Sequence, residues 1–165
     1  MASINRQLKE KQVQYITDLL KSCQSFVILD YKGINVAQDT ELRNAFRKAG
    51  VKYHVLKNRL VRIALQNLGY GDQFDVALNG TSSFAISDSD AVAPAKIAAQ
   101  KAETIKVLSI KCGMAEGKYL SADECKALAK LPSREILIAQ LLGMLQAPIA
   151  SFARVIDAIA QKKAE

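Results

Sequence analysis

VKYHVLKNRLVRIAL, residues 51–65, changes period halfway along, and that change decides the local fold. In VKYHVL, Val51, Tyr53 and Val55 alternate with Lys52 and His54, the two-residue period of a strand with one apolar and one polar face. Beyond it, Leu60, Ile63, Ala64 and Leu68 recur at helical spacing. Asn58 is suited to cap that helix, and Gly69 and Gly71 to end it. Arg59 and Arg62 then point away from the apolar stripe.

Working outward, SFVILDY (25–31) is a short, nearly continuous apolar run rich in β-formers, the pattern of a central strand buried on both faces. After Gly33 a helix is expected from Val36 to Ala49, with Leu42, Ala45, Phe46 and Ala49 inward, Arg43 and Arg47 on another face, and Gly50 ending it. Residues 3–23 read as an amphipathic helix with Ser3 in the N-cap position. Downstream, TSSFAIS (81–87) is a third strand, and SDSD leads into a helix from about 91 to 102. VLSIKC (107–112) is a fourth strand, GMAEGKYL a turn or hairpin, and SADECKALAKL (121–131) a helix with a Ser121/Glu124 capping box. This order fits a ferredoxin-like split βαβ with a four-stranded antiparallel sheet, and equally a small parallel doubly wound sheet.

After Leu131-Pro132 strand signals stop. A helix from Ser133 to about Gln146 meets Pro148, which suits the first turn of a new helix and would kink a continuous one. The terminal segment repeats apolar side chains at Ile149, Phe152, Ala153, Val155, Ile156 and Ile159. Such a stripe either folds back on its own domain or lies against a partner.

Charge is concentrated. Between Glu41 and Ile63 lie Arg43, Arg47, Lys48, Lys52, Lys57, Arg59 and Arg62, opposed in that window only by Glu41, so it holds +6 of the chain's net +7. A polyanion-binding face needs this, because each neutralised phosphate releases condensed counterions. A helix start at Asn58 would add free backbone N–H groups, and arginine suits bidentate phosphate contact. Few aromatic residues are interleaved, which favours shape and backbone recognition of folded RNA over a single-strand stacking platform.

Enzymatic constellations are absent: there is no GxxxxGK[ST], GxGxxG, HExxH or GxSxG. The one histidine, His54, sits beside Lys52 as a surface contact. Asp88 and Asp90 precede a helix and are expected to cap it. Cys23, Cys112 and Cys125 are odd in number and widely spaced, which argues for buried reduced thiols rather than disulfides or zinc. No cofactor or metal is expected. Nor does any stretch come near an uninterrupted membrane span, and the charged N-terminus lacks a secretory signal, so the expected location is the cytosol.

YKGINVAQDTELRNAFRKAGVKYHVLKNRLVRIAL (31–65) resembles the signature of the family of ribosomal stalk-base proteins, the tenth protein of the large subunit. The resemblance is carried by Tyr31, Gly33, Leu42, Arg43, Gly50, Val55, Lys57, Asn58, Leu60 and Ala64. It implies an α+β fold: a ferredoxin-like, four-stranded domain over residues 1–131 with N-terminal and inserted helices, then a C-terminal helical extension over 132–165. It implies a non-enzymatic, cytoplasmic, ribosome-bound component. The first domain would bind large-subunit rRNA where translational GTPases dock, through Lys32, Gly33, Arg43, Arg47, Lys52, His54, Lys57, Asn58, Arg59 and Arg62, beside the eleventh large-subunit protein. The terminal helix would carry dimers of the acidic stalk protein, two rather than three, given its length. The complex would in some bacteria also bind its own messenger leader. The acidic factor-binding tail of archaeal and eukaryotic relatives has no counterpart in QKKAE. The alternative is a free RNA-binding regulator that self-associates through its terminal helix.

Overall fold

The computed structural model describes residues 4–88 and 90–164, so the Ser3 cap lies outside the described residues. Two compact units are present, Met1–Leu131 and Pro132–Glu165.

The first unit contains α1 (Ile4–Ser22), β1 (Ser25–Asp30), α2 (Val36–Lys48), β2 (Lys52–Val55), α3 (Asn58–Asn67) and a 3-10 turn (Gly71–Phe74). It continues with β3 (Ser83–Ser87), α4 (Ala93–Thr104), β4 (Ser109–Ala115), β5 (Lys118–Ser121) and α5 (Ala122–Ala129). The sheet order is β2-β3-β1-β4-β5, and every neighbouring pair is antiparallel. The β1-α2-β2 crossover straddles β3, and β3-α4-β4 straddles β1, the interleaving of a split βαβ. The fold is therefore α+β and antiparallel; the doubly wound alternative falls.

The sheet has one strand more than expected. After β4 the chain turns through Glu116 (φ 50) and Gly117 (φ 79), two positive φ values in succession, as a tight hairpin requires. The following Lys118–Ser121 pairs back on β4 as an edge strand.

β1 is the middle strand and is buried on both faces. Phe26 and Ile28 join a core with Ile16, Leu19 and Leu20 of α1 and Val61, Ala64 and Leu65 of α3. Val27 and Leu29 join the opposite core with Leu42 and Phe46 of α2, Ala95 and Ala98 of α4 and Cys125 of α5. Ala49, expected inward, is exposed just past the end of α2, where Gly50 takes φ 71. The Ser121/Glu124 capping box opens α5 as expected. Before α4, Asp90 Oδ1 accepts the Val92 N–H at 2.9 Å, but the cap position is Val92. Asp88, expected as a cap, instead pairs with Lys52.

The second unit is dominated by α6 (Arg134–Ala164), one continuous helix of 31 residues with Pro148 inside it rather than at a new start. The flanking Leu, Ala and Gln are strong helix formers and carry it through the missing N–H. Arg134–Asp157, whose most apolar 18-residue window has a mean hydropathy of 1.7, is long and apolar enough to cross a membrane by length and composition. No uninterrupted apolar run of that length is present, as expected: Gln140, Gly143, Gln146 and Ser151 break the runs without lowering the average far.

Candidate nucleic-acid interface

The fold divides the basic window between two places. β1 and β2 point the same way, because β3 lies antiparallel to both. The turn after β1 and the start of α3 therefore share one end of the sheet, which collects Lys32, Gly33, Lys57, Asn58 and Arg59. Lys52 begins β2 at the other end. There Arg43, Arg47, Lys52 and His54 line a shallow depression of 350 Å³ along the β2 edge, with Tyr53 between them.

Ion pairing separates these cations further. Asp39 holds Arg43 at 2.8 Å, Asp88 holds Lys52 at 2.5 Å, and Asp75 stands 2.7 Å from Arg62 Nε. The Arg62 contact is an ion pair by distance only, since its N–H makes no hydrogen bond. Hydrogen bonding to the Asp39 and Asp88 carboxylates raises the pKa of Arg43 and Lys52. Arg43 also lies 5.1 Å over the Tyr53 ring. Exposed pairs of this kind add little stability, but they dampen the local positive field. The window's apparent isolation from acids was a property of the linear sequence: its one acid, Glu41, is paired with Lys101, and the three neutralising aspartates come from outside it. Among the described residues Arg47, Lys57 and Arg59 make no salt bridge.

α3 is rotated from its expected setting. Val61, Ala64 and Leu65 are buried, while Ile63, expected inward, is 42% exposed. Apolar residues at 60, 61, 63, 64, 65 and 68 allow two overlapping stripes, and packing on α1 and the sheet selects the one through Val61. Asn58 is not the cap. Lys57 holds that position with no side-chain cap bond, and the Asn58 amide donates to Leu78 O at 2.6 Å and Gly80 O at 2.8 Å. The first N–H groups of α3 thus stay uncapped by a side chain, with Lys57 and Arg59 beside them.

Three further cations, none legible as part of the basic window, stand at this end of the sheet. Arg6 and Lys9 of α1 line, with Lys57 and Arg59, a groove of 690 Å³ whose floor includes Val13, Leu60 and Ile63. They lie far in sequence from the basic window, and Arg6 is paired at 3.0 Å with Glu10, which lines the same groove. Lys111 of β4 reaches the same end of the sheet, with Nζ 2.7 Å from both Asn79 O and Thr81 O.

On α6 every expected contact residue is exposed: Ile149, Phe152, Ala153, Val155, Ile156 and Ile159. The stripe is longer than expected. Ile138, Leu145, Phe152 and Ile159 recur every seven residues, with Leu141, Leu142, Ile149, Val155 and Ile156 between them, and all are exposed.

Residues 4–103 match the family described as Ribosomal protein L10, and residues 131–165 match the Ribosomal protein uL10 C-terminal region. The chain belongs to the ribosomal protein L10 family. It is 43% identical over 157 residues to the large ribosomal subunit protein uL10 of Staphylococcus haemolyticus, covering 95% of this chain and 94% of the relative. It is 40% identical over 163 residues to that of Clostridium acetobutylicum (99% and 96% covered) and 45% identical over 157 residues to that of Shouchella clausii (95% and 94% covered). As a member of the L10 family it is a large-subunit ribosomal protein, a structural component of a ribonucleoprotein that acts in translation.

Proposed function

We propose that this chain anchors on large-subunit rRNA at the GTPase-associated region and carries dimers of the acidic stalk protein that recruit translational GTPases. Residues 1–131 bind RNA and residues 132–165 bind the stalk protein, in ribosomes of the cytoplasm. The observation that carries the reading is α6, whose seven-residue apolar repeat from Ile138 to Ile159 is exposed throughout. A repeat of that period suits the packing of partner helices along the stripe. Two dimers side by side fit a helix of about 46 Å, at 1.5 Å per residue. The chain makes its contacts without catalysis.

For the RNA, Lys57, Arg59 and Lys32 supply charge at one end of the sheet, and the open N–H groups of α3 supply phosphate donors. Arg47, Lys52, His54 and Arg43 form a second, more neutralised patch, and Arg62 contributes least. The eleventh large-subunit protein is the expected neighbour.

The test is co-purification. Tagged chain drawn from a bacterial lysate should bring an acidic dimeric protein with it, and the pair should bind an rRNA fragment of the GTPase-associated region. A chain that comes down alone, or prefers a messenger leader over rRNA, would favour the free regulator.

A further inference from the structure

The carbonyls of Leu78, Asn79, Gly80 and Thr81 are four in succession, and two distant side chains hold all of them. Asn58 Nδ2 donates to Leu78 O and Gly80 O, and Lys111 Nζ to Asn79 O and Thr81 O. Lys111 Nζ also stands 3.4 Å from Asp30 Oδ2, and the Thr81 hydroxyl donates to the other Asp30 oxygen. Only 16% of the Lys111 side chain is exposed. Its three protons are thus directed at two carbonyls and one carboxylate, leaving it poorly placed to meet a phosphate directly.

The loop it holds is differently placed. Asn79 and Gly80 are exposed. On one side Asp30 leads into Lys32 and Gly33, and on the other Asn58 leads into Arg59. The loop therefore lies between the two sets of cations that carry no ion pair at this end of the sheet.

We propose that Lys111 is a positioning residue of the RNA interface: with Asn58 it fixes the Leu78–Thr81 loop as a preformed surface between Lys32 and Lys57 for the RNA backbone. The proposal rests on the rRNA-binding reading above. Two physical effects support it. Recognition of folded RNA by shape gains from a backbone ordered before contact, since ordering it on binding subtracts from affinity. Lys111 also neutralises Asp30, a carboxylate that would otherwise repel phosphate at this end.

The experiment measures binding of an rRNA fragment from the GTPase-associated region across a salt series, for wild type, Lys111→Met, Lys111→Arg and the double variant Asp30→Asn/Lys111→Met. Lys111→Met should weaken binding by about tenfold while leaving the log–log salt slope unchanged, because no phosphate contact is lost. Lys111→Arg, which keeps donors and charge, should recover most of the loss. The double variant should recover only the part due to Asp30. In parallel, amide exchange at residues 79–82 should speed up in Lys111→Met. Unchanged affinity in Lys111→Met overturns the proposal. A slope reduced by about one overturns it too, by making Lys111 a direct phosphate contact. Wild type that fails to bind the fragment overturns the RNA reading itself, a separate result. If Lys111→Met does not fold, Lys111→Gln carries the comparison with the same outcomes.

Discussion

Gly113 lies directly beneath Cys125: a Cβ on Gly113 would stand 2.9 Å from the Cys125 Sγ and 2.9 Å from the Phe26 carbonyl oxygen. β4 can thus carry α5 at this spacing only with a bare backbone at position 113. Gly113→Ala should destabilise the first unit by about 1–3 kcal/mol. Urea unfolding checks this, and Gly113→Ala/Cys125→Ala should recover part of the loss by removing the sulfur. A wild-type midpoint for the single variant would show that the contact has slack.

Arg59 and Arg62 should differ although one turn of helix separates them. Arg59→Ala should lower the slope of log affinity for rRNA against log salt by about one. Arg62→Ala should leave it nearly unchanged, because Asp75 already neutralises that guanidinium. Equal effects from the two would mean that Asp75 releases Arg62 to the RNA.

Asp30 gives the first unit a defined acid sensitivity. Partial burial pushes its carboxyl up, but the Thr81 hydroxyl, the Lys32 N–H and the Lys111 ammonium outweigh that, so its pKa is lowered. A lowered folded-state pKa stabilises the protein above the unfolded value, about 3.9, and the contribution is lost as pH falls through the folded value. Wild type should therefore exceed Asp30→Asn in stability at pH 7, with the gap closing below about pH 4. Urea midpoints at several pH values read this directly. A gap that widens on acidification would be the wrong sign.

Burial pushes the Cys23 and Cys125 thiols up to about 11 and the Cys112 thiol up to about 12. At pH 8 the native protein should react with a disulfide reagent at about a hundredth or less of the unfolded rate, since the thiolate is the nucleophile. A fast native phase would identify an exposed thiolate and contradict the packing.

Phe152→Asp/Ile156→Asp places two charges one turn apart on the open stripe of α6. Binding of the acidic dimeric partner should be abolished, with rRNA affinity held within about twofold, a difference of roughly 0.4 kcal/mol. Continued co-purification would move the contact to Ile138–Leu145.

The elements were legible because period and punctuation agreed. SFVILD read as the central strand, and its burial on both faces is why strand direction was not legible: helices cover both sides of this antiparallel sheet, erasing the alternation that usually betrays one. GMAEGKYL read as a turn or hairpin and is one, but its second arm, Lys118–Ser121, is too short to count as a fifth strand without its pairing to β4. The site was legible as a charge density but not as a charge pattern, because Asp39, Asp75 and Asp88 reach the window only through the fold. Asn58 read as a helix cap because its sequence neighbours say nothing of a loop twenty residues away.

The open face of α6 has a consequence for supply. A helix exposing Ile138, Leu141, Leu145, Phe152 and Ile156 together is a liability on a free chain, since such surface invites aggregation and proteolytic triage. Copies made in excess of a partner that covers that face would be the ones removed. With such a partner, the helix would act as a stoichiometer, matching the number of surviving chains to the number of partners without any dedicated sensor.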